Sequence, residues 1–166
     1  MIEHSWTTEA GLPAKAIIVM DGARKRHRCG YVGVPSGHPF HSKSCSEQLD
    51  LIRRESVDGA VLGKKSPILV VTATCGSDGE GVIRRSLDVA CDVHGGLTYA
   101  GQLKAEYDTN NLWWFGFDCA HLDDAEIELD PRHSRSFREG EVRTLEYVVS
   151  ECESLARQIV DLATQS

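Results

Sequence analysis

From Glu141 onward, Val142, Leu145, Val148, Val149, Cys152, Leu155, Ala156, Ile159 and Val160 recur at i, i+3 and i+4 spacing, while Arg143, Glu146, Ser150, Glu151, Glu153 and Arg157 fill the other side. That period predicts an amphipathic helix of about six turns. Burying its stripe contributes on the order of 10 kcal/mol gross, before entropy is subtracted. A helix of this kind needs a flat apolar partner, and the rest of the chain must supply it.

The remainder is rich in β-prone runs. Residues 16–20 and 29–34 are joined by the turn-like, basic segment 21–28, the pattern of a hairpin. Residues 67–74, 87–93 and 112–117 are three further strand candidates. A short helix is expected over 47–54, with Ser46 as its N-cap ahead of Leu49 and Ile52. Segments 76–81 and 123–140 are polar and Gly-containing and read as loops. A run of strands closed by a helix gives the α+β class: one domain over residues 1–166, mostly an antiparallel sheet, with the long C-terminal helix packed on one face. The 166-residue length suits a single core.

Charge narrows the function. Eighteen Lys and Arg against 25 Asp and Glu leave a net charge of -7, which repels phosphate backbones and argues against broad nucleic-acid binding. No apolar run approaches the roughly 20 residues of a membrane span, and the first residues lack the apolar stretch of a secretory signal, so a cytoplasmic protein is expected. In that reducing compartment the six cysteines read as buried small hydrophobes, and no CxxC pair suggests a zinc knuckle.

Three segments carry more Gly, His, Asp and aromatic residues than a plain core needs. In Cys29-Gly-Tyr-Val-Gly-Val-Pro-Ser-Gly-His-Pro39 a strand runs into a turn that presents Gly37 and His38; the alternative is a bulged strand with a turn histidine. In Asp92-Val-His-Gly-Gly-Leu-Thr-Tyr99, His94 with the backbone N–H groups of Gly95 and Gly96 could hold an anion, although a tight hairpin needs the same glycines. In Leu112-Trp-Trp-Phe-Gly-Phe-Asp-Cys-Ala-His121, alternation puts Trp113, Phe115 and Phe117 on one face and Trp114, Gly116 and Asp118 on the other. Trp114 beside the gap at Gly116 could stack a planar ring while Asp118 accepts a hydrogen bond from it; otherwise Asp118 caps the following turn. His38, His94, Asp118, His121 and Asp124 together have the chemistry of a divalent-metal shell, with His38, His121 and Asp124 as the candidate metal ligands, but spacing alone does not bring them together.

At these same segments the chain resembles a family of small uncharacterised proteins encoded by tailed phages and prophages, which share CGYVGVPxGHP, VHGGLTY and WWFGFDCAH strings and a closing amphipathic helix. The match covers most of the chain. Ala14 stands where the family has Cys, residues 42–44 replace a Gly, Asp123 replaces the Gly before the final Asp, and residues 107–111 stand in place of a Cys-x-His segment. A zinc site built from the family's Cys and His residues would therefore be incomplete here.

The resemblance implies a viral origin and carries no settled activity. The leading expectation is a non-enzymatic protein that sequesters a small anionic ligand, a nucleotide-derived host immune signal, in a pocket of Gly37, His38, His94, Gly95, Gly96, Tyr99, Trp114, Asp118 and His121, with no cofactor beyond an optional divalent metal. One alternative is a hydrolase of such a signal, with His94 or His121 as general base or acid oriented by Asp118 and optional metal assistance. The other is a protein-interaction module whose motifs only shape the fold.

Overall fold

The computed structural model describes residues 1–20, 26–52, 77–78, 82–127 and 140–165. Strands β1 (Ile2–Thr7), β2 (Pro13–Met20) and β3 (Arg26–Val34) precede β4 (Gln48–Ile52), β5 (Ser77–Asp78) and β6 (Val82–Ser86). One helical turn, α1 (Leu87–Ala90), leads to β7 (Tyr99–Gly101), β8 (Trp113–Asp118) and the long helix α2 (Leu145–Ala163). The main sheet runs β1-β2-β3-β8-β7 with every neighbouring pair antiparallel. Strands β4, β6 and β5 form a second, three-stranded antiparallel sheet. Helix α2 packs on β3 and β2 of the main sheet, which is the α+β arrangement that the helical stripe demands.

Strand alternation sorts the core. Ala14, Ala16, Val32, Val34, Phe115 and Phe117 join Val148, Cys152, Leu155, Ala156 and Ile159 of α2 in one buried cluster. Gly30 sits in the middle, paired with Ala16 on one side and Phe117 on the other. A Cβ there would lie 2.4 Å from Phe117 Cζ and 2.8 Å from Cys152 Sγ, so helix and sheet approach each other where there is no side chain. The opposite face carries its own apolar residues, among them Ile17, Tyr31 and Trp114, set in register by the Lys15↔Tyr31, Tyr31↔Gly116 and Gly33↔Trp114 pairs.

Three local expectations need correction. Residues 48–52, expected as a helix capped by Ser46, form β4, because pairing with β6 from Gln48↔Ser86 to Ile52↔Val82 outweighs a weak helical preference. Residues 87–90, expected to open a strand, form the turn α1, which buries Leu87 and leads to buried Cys91 and Val93. The last helix starts at Leu145, after Thr144, whose hydroxyl accepts the Tyr147 N–H at 3.2 Å. Residues 141–143 are held extended by Ala125 N–H donating to Glu141 O and Glu141 N–H to Asp123 O, both at 3.0 Å, which leaves Val142 exposed and off the buried stripe.

Cys29, Cys91, Cys119 and Cys152 are buried free thiols, as expected, and Cys45 is half-buried. No described helix is long and apolar enough to cross a membrane. The strand expected over 67–74, the loop over 21–25 and most of the segments 76–81 and 123–140 lie outside the described residues.

Candidate functional site

The turn after Val93 is built on two glycines. Gly95 and Gly96 have φ of +65° and +88°, and Gly96 N–H donates to Val93 O at 2.9 Å, closing the turn. The same turn sets His94 against α2, where its N–H donates to Glu151 Oε2 at 2.7 Å. Of the two amides expected to cradle an anion, the Gly96 N–H is committed to the turn, and the Glu151 carboxylate that takes the His94 N–H stands beside it and disfavours a negative ligand.

Gly95 serves a second purpose. The His121 ring lies so close that a Cβ at Gly95 would come within 2.0 Å of His121 Cε1. The two sequence motifs thus meet, with the imidazoles of His94 and His121 edge to face and 5.2 Å apart. Between them stands Asp124, whose side chain is 1% exposed. Its Oδ2 accepts from His94 Nε2 at 2.9 Å and from the His121 backbone N–H at 3.0 Å, and lies 3.4 Å from His121 Nδ1. Its Oδ1 accepts from Arg143 Nε at 2.7 Å.

The surrounding shell comes from the start of α2. Tyr147 Oη lies 3.0 Å from His94 Nδ1, so both ring nitrogens of His94 have partners. Arg143 stacks its guanidinium 5.0 Å from the Tyr147 ring, and Arg28 fixes that segment by donating to Arg143 O at 2.6 Å while its own charge is met by Glu3. Burial opposes a charge on Asp124, but Arg143, His94 and the His121 amide outweigh it and push the carboxyl down to about 2. His121 differs from His94. Its side chain is 38% exposed, yet its Nδ1 is buried without a hydrogen-bond partner among the described residues.

Other expected residues go elsewhere. Asp118 does not orient either histidine; it accepts from Thr98 Oγ1 at 3.0 Å and from the Ala120 N–H at 3.2 Å, so it caps the strand end and Asp124 takes the orienting place. His38 is a turn residue whose Nδ1 accepts the Phe40 N–H at 3.1 Å; it does not join the His94, His121 and Asp124 group, and burial followed by the neighbouring His41 pushes its pKa down. Gly37 supplies the φ of +94° for that turn. Trp114 offers no stacking platform: it is fully buried, donates Nε1–H to Asp108 Oδ2 at 2.9 Å and lies under the Lys15 ammonium.

The gap at Gly116 is real, and Tyr31 fills it. A Cβ on Gly116 would come 2.5 Å from Tyr31 Cδ1, and Tyr31 meets Tyr99 edge to face at 5.5 Å. These two rings form part of the wall of a cavity of about 670 Å³ on the sheet face away from α2, together with Ile17, Val19, Tyr107 and the cations Arg26 and Lys104. Neither cation has an ion-pair partner among the described residues. Of the expected pocket residues Tyr99 alone lines this cavity, and it lies apart in composition from the histidine cluster.

Sequence reasoning missed Arg143, Tyr147 and Glu151 because they sit on the polar side of the last helix or just before it. The one available signal is an aromatic residue, Tyr147, off the apolar stripe and one turn from an arginine. Comparison with protein families, with curated proteins and with solved structures finds no match.

Proposed function

We propose that this protein binds a small planar anion of the nucleotide class and sequesters it without turnover. The carrying observation is the cavity beside Tyr31 and Tyr99. Its volume of about 670 Å³ is that of a small-molecule site. Tyrosine rings offer apolar faces to a planar base, and Arg26 and Lys104 supply positive charge to a phosphate in a protein that is otherwise acidic. The ligand class is the one expected from sequence, and the sheet face is the one expected to hold the planar ring, with Tyr31 and Tyr99 in place of Trp114. The viral origin that the resemblance implies makes a host immune signal the natural ligand in this reading.

Isothermal titration with cyclic dinucleotides, ADP-ribose derivatives and mononucleotides tests this reading. At least one should bind with a micromolar Kd, and Tyr31→Ala or Arg26→Ala should weaken it by roughly tenfold, about 1.4 kcal/mol. Chromatography after heat denaturation should return the ligand unchanged. No binding at about 100 µM of any of them, or the appearance of a cleavage product, overturns the proposal.

A further inference from the structure

We propose that His94 Nε2, His121 Nδ1 and Asp124 Oδ2 form a site for one divalent transition-metal cation of the zinc class. The three atoms lie within 4.8 Å of one another. Asp124 Oδ2 stands 2.9 Å from His94 Nε2 and 3.4 Å from His121 Nδ1, and donors about 2.0–2.1 Å from one cation are themselves roughly 2.9–3.4 Å apart in octahedral or tetrahedral geometry.

Several independent features point the same way. His121 Nδ1 is a buried polar atom without a hydrogen bond among the described residues, 3.4 Å from a carboxylate oxygen but outside hydrogen-bonding geometry. A buried polar group of this kind ordinarily has a partner, and a cation between it and Asp124 supplies one. The outer contacts are those that orient metal ligands. Tyr147 Oη meets the remaining nitrogen of His94, the His121 amide and Arg143 brace Asp124, and Arg143 occupies Oδ1 alone, which leaves Oδ2 for the cation. Gly95 gives the His121 ring its place, since any side chain there would displace it.

The hydrogen that His94 Nε2 donates to Asp124 moves to Nδ1, where the Tyr147 oxygen accepts it, and the Nε2 lone pair is freed for the cation. Two imidazole nitrogens and one carboxylate oxygen suit zinc, cobalt, nickel or ferrous iron and do not suit magnesium or calcium, which prefer oxygen. The exposed edge of His121 leaves the solvent side open for water to complete the shell.

The test uses the full chain, freed of metal with a chelator and titrated with Co²⁺ and with Zn²⁺. One equivalent of Co²⁺ should bind with a visible absorption band that Zn²⁺ abolishes, and Zn²⁺ should raise the melting temperature. His121→Ala should lose roughly 100-fold or more in affinity while the metal-free protein melts within a few degrees of the parent, because its Nδ1 makes no hydrogen bond among the described residues. His38→Ala, outside the cluster, should bind as the parent does. Absence of saturable binding at about 1 mM cation, or equal affinity in the parent and His121→Ala, overturns the proposal. The nucleotide titrations read a different cavity, so either result stands without the other.

Discussion

Asp118 and Asp124 leave the same strand end, yet among the described residues one carboxylate is tied to Thr98 and Ala120 while the other is enclosed by His94, His121 and Arg143. Their substitutions should therefore separate. Asp118→Ala removes hydrogen bonds that water replaces and should cost about 1 kcal/mol or less in chemical denaturation. Asp124→Ala leaves the Arg143 guanidinium without its counter-charge and His94 Nε2 without its acceptor, and should cost roughly 3–5 kcal/mol. Equal denaturation midpoints would put the two on the same footing. The thiols provide a second residue-scale outcome. Burial pushes Cys29 and Cys91 up from 9.0 to about 12. Once unfolded, these thiols ionise near 9, so above that pH the unfolded chain binds fewer protons than the folded one. Their contribution is complete below pH 9 and stability falls as pH rises past it, which urea midpoints at about pH 8 and about pH 10 will show. Iodoacetamide at about pH 8 should label both in urea and spare them in the native protein.

Among the elements, α2 was the most legible, since its period of apolar residues is long and its partner face is apolar too. Val148, fully buried, is its sharpest probe: Val148→Asp places an unpaired charge inside the buried cluster that also holds Phe117 and Val32, and should cost several kcal/mol and unfold the chain in a thermal melt. A variant that melts as the parent would mean that α2 does not cover the sheet. The β2 and β3 hairpin was equally readable from its two runs. β4 was not, because Leu49 and Ile52 satisfy a helical spacing and a strand alike and only the distant partner β6 decides between them. The site behaved the same way. His94, His121 and Asp124 were visible as residue types, but their meeting depends on the turn at Gly95 and on an extended arm, residues 141–143, that periodicity had assigned to the helix. Trp114 and Asp118 were assigned to the ligand by alternation, which gives a face and says nothing of what covers it.

At the scale of the whole molecule the two sides of the main sheet divide the work. One receives α2 and forms the core, and the other carries the tyrosine-lined cavity. The early and late parts of the chain are joined on the α2 side, since Glu153 of α2 accepts from Trp6 Nε1 at 2.8 Å and from the Glu9 N–H at 2.9 Å. The order of the strands has a kinetic meaning as well. β1, β2 and β3 are consecutive and can pair as they leave the ribosome, but the next strand in the sheet is β8, and the whole second sheet intervenes. The loop that must close before β3 finds β8 is long, and the surface that both present to α2 stays wet until α2 is made. A nascent chain stalled before Leu145 therefore displays the apolar side of an uncovered sheet, so the synthesis of α2 is the step at which aggregation and productive folding compete.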